Sequence, residues 1–359
     1  MLLTSIAFII ALFFAMNIGA SGTAAAMGPA YGSGAIPKKR VAMILVAVSA
    51  FIGALAGGEV VKTIGGGIIP SSLIDVKLVI IILGSACLTL FIANLLGIPL
   101  STSEVVVGAI VGAGIAFQSL YFQKLMLIVS FWVIVPVIAF LLAYVSGKLI
   151  TKLEKKFPSL KGKGKWKKIL VVLLILSGCL EAYAAGMNNV ANAVGPLVGA
   201  GLIDLNTAVI LGGLLVGLGA ILLGGRVLET NGKRITKLSL MQGTAVSTTG
   251  GTLVIIASIF GLPVPLTQVT TSAIVGIGTA DNGFQLWQKG IIKKIIKVWV
   301  VSPVFSLVMS YGLILVFLQA DFYTAVVIVS VFIATVGSIS LARAVKKEKR
   351  ALHDQGGGI

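Results

Sequence analysis

Charged residues are scarce in this sequence. Only 11% of its 359 residues are Asp, Glu, Lys or Arg, whereas 57% are hydrophobic. Soluble domains carry about 25% charged residues, so the composition excludes an ordinary water-soluble protein. Apolar runs recur along the whole chain, and a bilayer core about 30 Å thick needs about 20 apolar residues per helix. The sequence therefore predicts an all-α integral membrane protein that spans the bilayer many times.

Residues that bind metals or form disulfides are also few. The two cysteines, Cys87 and Cys179, both lie inside apolar runs, and the single histidine, His353, lies in a polar tail. Neither a disulfide framework nor the ligand spacing of a zinc site is present in the sequence. We therefore expect no metal site and no cofactor. Because no cluster of His, Cys and acidic residues converges, we also expect that the protein is not an enzyme.

The apolar segments predict about eleven membrane crossings. Their approximate boundaries are 2–36, 41–57, 78–98, 99–118, 125–147, 169–203, 207–223, 243–260, 261–280, 298–318 and 322–342. A basic polar segment, 148–168, separates the first five from the rest, and we interpret it as a cytoplasmic loop.

Positive charge is distributed unevenly between the two sides of these segments. With the N-terminus outside, all 28 Lys and Arg residues except Lys62, Lys77 and Lys124 fall in cytoplasmic loops or in the C-terminal tail. Basic residues favour the cytoplasmic side of a membrane. The sequence thus predicts a multi-pass plasma-membrane protein with an outside N-terminus and a cytoplasmic C-terminus. This topology accounts for the net charge of +17, and no nucleic-acid partner is expected.

Three blocks of the first half recur in the same order in the second half. The pairs are Gly28–Ile36 with Gly195–Ile203, Gly57–Gly65 with Gly224–Gly232, and Gly97–Gly114 with Gly261–Gly278. Each half holds five predicted crossings, an odd number, so the second half starts on the opposite side. We predict two inverted five-span repeats with interrupted helices, 1–147 and 169–318, followed by one C-terminal span and a tail in 319–359. Such repeats are typical of secondary transporters.

Two polar, glycine-rich segments, Asn17–Thr23 and Gly186–Asn192, lie at corresponding places in the two halves. Irregular backbone at membrane depth is tolerated only where protein or a water-filled cavity covers it. We expect a broken helix in each segment, with Asn17 and Asn188 facing one another near the midplane. The alternative is that small residues serve close packing while asparagines bond between helices. The candidate anion ligands are Asn17, Ser21, Asn188 and Asn192.

Two helix-start signals form a second pair, Pro99–Glu104 and Pro263–Gln268. Proline followed by Ser or Thr and then by an acid or amide is typical of a helix N-terminus. The free N–H groups and the positive dipole end of such a terminus bind anions. Simple N-capping is the alternative role, and it is compatible with binding. The candidate anion ligands here are Ser101, Thr102, Ser103 and Thr267.

Two acidic residues, Glu104 and Glu181, lie in or beside apolar helices, where a charge is costly and usually functional. Glu104 is adjacent to the predicted anion site, where a carboxylate would repel a dianion unless it is protonated. We interpret both as candidates for ion coupling. The alternatives are a first-turn capping residue for Glu104 and a structural partner between helices for Glu181.

These segments resemble the inorganic phosphate transporter (PiT) family, whose halves carry Gly-Ala-Asn-Asp-x-x-Asn and Pro-x-Ser-Thr-Thr-His motifs. Gly186–Asn192 and Pro99–Glu104 match most clearly, and the resemblance covers both halves. It implies that the asparagines and the Ser/Thr segments bind an anion, and that the motif aspartates help to bind a cation. Here the aspartate positions hold Ile18 and Asn189, and the motif histidine is replaced by Glu104 and Gln268.

These departures favour a particular substrate and coupling ion. Without the aspartates, Na⁺ loses its preferred ligands, so we expect H⁺ as the coupling ion, with Asn189 a further candidate for ion coupling. Phosphate keeps a proton that it can donate to a carboxylate, whereas sulfate only accepts hydrogen bonds. A site of donors without a fixed carboxylate therefore favours sulfate. The sequence as a whole is similar to the sulfate permease branch of the family.

The expected function is import of sulfate, or a related tetrahedral oxyanion, by proton symport. A sodium- or proton-coupled phosphate permease of the same family is the alternative, and a passive anion channel is less favoured because the repeats suit alternating access. Membrane lipid is the other expected partner, and a homodimer is left open.

Overall fold

The chain is helical throughout the part that the structure describes. This computed structural model describes residues 1–95, 100–162, 164–234, 238–283, 290–324, 326–327 and 330–331, and those residues contain no β-strand. The predicted all-α class is confirmed. The chain forms two units, Met1–Ser310 and Tyr311–Ile359. His353, Pro99 and most of the predicted crossing 322–342 lie outside the described residues.

The helices of the first unit include several short ones. In chain order they are α1 (Leu2–Ile18), α2 (Gly28–Gly32), α3 (Lys39–Leu55), α4 (Gly58–Lys62), α5 (Val76–Leu95), α6 (Thr102–Ala116), α7 (Phe122–Lys156), α8 (Gly164–Gly199), α9 (Leu205–Leu223), α10 (Gly225–Arg234), α11 (Leu240–Ile259) and α12 (Leu266–Asn282). Helix α13 (Gly290–Phe317) runs on into the second unit. Two π-helical turns, Gly19–Thr23 and Thr63–Gly67, and two 3-10 turns, Ser71–Leu73 and Pro158–Lys161, complete the described elements.

Seven helices of the described residues are long and apolar enough to cross a membrane. A bent pair, Lys39–Leu55 with Gly58–Gly67 at 64°, makes eight if it forms one span. The chain is thus a multi-pass membrane protein, but eleven crossings are not confirmed. Three predicted crossings are not among these spans: 322–342 lies mostly outside the described residues, and α6 and α12 stand in place of 99–118 and 261–280. They have 15 and 17 residues, so each is roughly 22–26 Å long, shorter than a bilayer core of about 30 Å.

The predicted loop 148–168 is largely helical. Helix α7 continues to Lys156, and α8 already begins at Gly164. Hydropathy reports where a chain leaves apolar surroundings, but it does not report where a helix ends. Lysine and leucine are good helix formers, and extending an existing helix costs far less than starting one. Both helices therefore run on into the basic segment.

The two polar glycine-rich segments differ in structure. Helix α1 gives way to the π-helical turn Gly19–Thr23, where Ser21 has φ −100° and ψ −105°, so the break predicted in the first half is present. Gly186–Asn192 lies inside the continuous helix α8, so the break predicted there is wrong. Eleven positions separate Asn17 from Gly28, but only seven separate Asn188 from Gly195. The four extra residues of the first half coincide with the irregular turn.

Helices α3 and α8 approach each other closely through two glycines. A Cβ on Gly186 of α8 would meet the backbone carbonyl of Ala50, and a Cβ on Gly53 of α3 would meet the carbonyl of Tyr183. Each glycine therefore rests on the backbone of the partner helix. This contact sets the position of the α8 segment that carries the asparagines.

We predict that Gly186→Ala destabilises the protein, because the added methyl group displaces α3. Overpacking of this kind costs about 1–3 kcal/mol, and the midpoint of thermal unfolding in detergent should fall by several degrees. Gly84→Ala in α5 is the matched control, because a Cβ there has no neighbour within 4 Å. Equal midpoints for the two variants would contradict the close contact.

Candidate functional site

The first turn of α6 brings polar side chains into the interior of the first unit. Ser101 is the N-cap residue, and its Oγ accepts a 3.5 Å hydrogen bond from the backbone N–H of Glu104. Ser101, Thr102, Ser103 and Glu104 are all buried. The N–H groups of Thr102 and Ser103 lie in the first helical turn, where no intrahelical acceptor exists for them. The predicted helix start is thus present and its donors face inward.

Three asparagines of α8 meet the two α6 hydroxyls in one network. The Asn192 amide donates to Thr102 Oγ and to Ser103 Oγ, both at 3.2 Å. Thr102 Oγ donates to Asn189 Oδ1 at 3.2 Å, and Ser103 Oγ donates to Asn188 Oδ1 at 3.3 Å. Asn192 Oδ1 is buried without a hydrogen-bond partner. Five of the predicted site residues therefore lie together.

Asn188 makes four hydrogen bonds between helices. Its amide donates to Ser258 Oγ at 2.8 Å and to the Leu262 carbonyl at 3.0 Å. Its Oδ1 accepts from the Val264 N–H at 3.2 Å and from Ser103 Oγ. Because these bonds use both donors and both lone pairs of the amide, Asn188 has no free donor for a ligand in this conformation. It joins α6 and α11 to the irregular backbone that leads into α12.

Helix α12 supplies a second N-terminus near the interrupted segment. It begins at Leu266 after Pro265, and the half-buried Thr267 lies one position further on. A Cβ on Gly22 would lie 3.4 Å from Thr267 Oγ1, so the start of α12 reaches the π-helical turn. Thr23 in that turn has a buried hydroxyl with no hydrogen-bond partner. Thr23 is a candidate donor that the sequence interpretation missed, although it is the one hydroxyl of that polar segment besides Ser21.

Two of the predicted ligands in the first half bond locally. The Asn17 amide donates to the Phe13 carbonyl at 3.1 Å, and Ser21 Oγ donates to the Ile18 carbonyl at 3.1 Å. Both side chains are buried. Among the described residues, neither has a hydrogen bond to the network on α8, so the predicted equivalence of Asn17 and Asn188 does not extend to their bonds.

The carboxyl group of Glu104 is hydrogen-bonded to α12 and α13. Gln268 Nε2 donates to its Oε1, and Ser302 Oγ donates to its Oε2 at 3.1 Å. The side chain is only 3% exposed. Glu104 and Gln268 also line a cavity of about 650 Å³ whose other walls are mostly apolar, including Trp132 and Pro303. Glu104 thus lies between the polar network and this cavity.

Glu181, the other predicted coupling residue, lies on α8 apart from this network. It is fully buried, and Thr270 Oγ1 of α12 donates to its Oε1. Helix α12 therefore contacts both intramembrane carboxyl groups.

The candidate site consists of neutral donors. Its members offer hydroxyls and the N–H groups of two helix N-termini, an arrangement suited to an anion, while the amides of Asn188 and Asn192 hold the site together. Among the described residues, we find no group of three or more His, Cys, Asp or Glu side chains that could hold a metal ion.

We predict that Asn188→Ala lowers the thermal stability more than Asn17→Ala does. The first change leaves the Leu262 carbonyl, the Val264 N–H and Ser103 without their bonds, and each unsatisfied buried group costs about 1–3 kcal/mol. The second change removes one bond within a helix. Unfolding midpoints in detergent measure the difference, and equal losses in the two variants would contradict the role of Asn188.

Known proteins with similar sequences and structures are membrane permeases. The sequence profile of the phosphate transporter family matches residues 18–310. A sulfate permease of Bacillus subtilis, CysP, is 56% identical over 356 residues, which cover 98% of this chain and 99% of that protein. A putative phosphate permease of Thermococcus kodakarensis is 30% identical over 85% of this chain and 96% of its own length. The solved structure of a sodium-dependent phosphate transporter has a TM-score of 0.78 and 25% identity, over 88% of this chain and 99% of that one. The chain therefore belongs to the phosphate transporter family, as the motif resemblance predicted.

Proposed function

We propose that this protein imports inorganic sulfate across the plasma membrane by proton symport. The observation that carries the proposal is the buried cluster of uncharged donors formed by the start of α6 and the asparagines of α8. In addition, both aspartate positions of the family motif, one in α1 and one in α8, are lost. Ile18 and Asn189 occupy those positions.

Sulfate suits this cluster because it only accepts hydrogen bonds. The hydroxyls of Thr102 and Ser103 can turn from the asparagine oxygens towards an anion, and the N–H groups of the same turn add further donors. Thr267 and Thr23 offer two further hydroxyls where the start of α12 meets the π-helical turn. The near full-length similarity to a protein named as a sulfate permease supports the same substrate.

One observation favours phosphate as a second candidate. Asn192 Oδ1 is a buried acceptor without a partner, and hydrogen phosphate, unlike sulfate, could donate a hydrogen bond to it. The family name and the sodium-dependent phosphate transporter of similar structure point in the same direction. Competition between the two anions therefore belongs in the test.

Protons fit the site better than sodium as the coupling ion. Ile18 offers no oxygen ligand, and Asn189 Oδ1 already accepts from Thr102, although Na⁺ prefers several oxygen ligands. Glu104 follows Ser103 directly and can carry a proton. A proton on Glu104 removes its repulsion of a dianion, and the coupling is reciprocal, so proton binding and sulfate binding strengthen each other.

We predict that purified protein in proteoliposomes takes up labelled sulfate faster when the external pH is lowered. Uptake should saturate, should be indifferent to a sodium gradient and should collapse with a protonophore. Excess unlabelled sulfate should compete more strongly than phosphate. Stimulation by sodium, stronger competition by phosphate, or unsaturable flux would each overturn part of the proposal, the last in favour of a channel.

Glu104→Gln should still bind sulfate, and the dependence of its uptake on external pH should be clearly weaker than that of the wild type. Glutamine is neutral at every pH, so it mimics the protonated carboxyl group permanently. The matched control is Glu59→Gln, which removes an exposed carboxylate paired with Lys62 at 2.6 Å and should keep the wild-type pH profile. A wild-type profile in Glu104→Gln would remove this residue from proton coupling.

A further inference from the structure

A second buried carboxyl group, that of Glu181, has an incomplete set of partners. Its Oε1 accepts from Thr270 Oγ1 of α12, but its Oε2 has no hydrogen-bond partner. The fully buried hydroxyl of Ser247 on α11 lies beside the same carboxyl group and has no other hydrogen-bond partner. A Cβ on Gly250 would lie 3.5 Å from Oε1, so backbone without a side chain covers that part of the group. The Ser247 O–H can donate to Oε2, but a hydroxyl brings no positive charge to an ionised carboxylate.

No charged group of the described residues faces Glu181. The groups around it are the hydroxyls of Thr270 and Ser247 and the backbone at Gly250 and Gly251. Charged side chains of the helices packed nearby are engaged elsewhere or exposed. Two ion pairs are present, Lys39 with Glu229 and Lys62 with Glu59. Three carboxyl groups accept from neutral side chains: Glu154 from Ser239, Asp281 from Thr151 and Gln242, and Glu104 from Gln268 and Ser302. Arg40, Lys77 and Lys161 are exposed.

A proton removes the uncompensated charge of Glu181. An ionised carboxylate without a counter-charge is very costly in a dry interior. A neutral carboxylic acid has one O–H donor and keeps acceptor capacity. The Oε2–H group can then donate to Ser247, while Oε1 continues to accept from Thr270.

We propose that Glu181 is a second proton-binding site, and that Glu104 and Glu181 together carry two protons with each sulfate. This inference rests on the proposed function, because it assigns a stoichiometry to that transport. Two protons neutralise the two negative charges of sulfate, so the transport cycle moves no net charge. With Glu104 alone, one negative charge would enter against an inside-negative membrane potential.

Helix α12 connects the two carboxyl groups. Gln268 contacts Glu104 and Thr270 contacts Glu181, and residues two apart point about 200° apart around a helix. Thr267, a candidate anion ligand, lies about one turn before Thr270. Each change of protonation alters a bond to the first turns of α12, so both protons act on the same element that helps to form the anion site.

Equilibrium accumulation of sulfate in proteoliposomes tests the stoichiometry. Each proton carried contributes a tenfold gradient per pH unit, so two protons should accumulate sulfate about 100-fold per pH unit. Changing the membrane potential with potassium and valinomycin should leave the wild-type accumulation unchanged. Glu181→Gln should accumulate only about tenfold per pH unit, and 100 mV should change its accumulation by about 50-fold, the effect of one net charge.

Glu59→Gln is again the matched control and should behave as wild type. If the wild type accumulates sulfate only tenfold per pH unit, with a strong dependence on membrane potential, then one proton is carried. That result would contradict the second proton site and leave sulfate symport intact. An unchanged slope in Glu181→Gln would remove the assignment to Glu181. If Glu181→Gln does not transport, the wild-type slope decides between one and two protons. Absence of sulfate uptake in the wild type would instead overturn the proposed function.

Discussion

The amide of Asn188 holds together the segments from which the candidate site is built. Between Phe260 and Leu266 the chain leaves one helix and enters another inside the first unit, and the backbone there provides no hydrogen-bond partners for the Leu262 carbonyl and the Val264 N–H. Asn188 supplies them, with one bond to the Leu262 carbonyl and one from the Val264 N–H. Its remaining bonds reach Ser258 and Ser103. The start of α12 and the first turn of α6 therefore take their positions from one side chain of α8.

The contact between Glu104 and Gln268 relates the two halves of the sequence. These residues occupy the same position in the repeated block, 164 residues apart, and they touch in the structure. The predicted repeats, if related by a local two-fold axis, would bring equivalent residues together in this way. Their chemistry differs, because one is an acid and the other an amide. A pair of acids would place two like charges in a buried contact, whereas the amide donates to the carboxyl group.

Several features could be predicted from the sequence, and the others depend on contacts that it does not reveal. Composition gave the membrane class, and the Pro and Ser/Thr signals gave the starts of α6 and α12. Hydropathy predicted crossings at α6 and α12 of 20 residues each, because it follows the apolar composition and does not report where the helices begin and end. The sequence does not separate the irregular turn after Asn17 from the continuous helix through Asn188, because both segments combine asparagine with small residues. The bonds from the α8 asparagines to neighbouring segments appear only in the structure.

A site without fixed positive charge has a consequence for transport. A lysine or arginine beside sulfate would stabilise the bound dianion on both sides of the membrane and would slow its release. Neutral hydroxyls and helix N-termini bind sulfate more weakly. The positive charge that balances the dianion can then come from ions that bind and leave with it. In the proposed cycle protons are that counter-charge, carried on carboxyl groups that only neutral donors surround. Glu104 and Glu181 are then costly to ionise when the protein is closed and release their protons only when water reaches them, which ties the release of protons to the opening of the site.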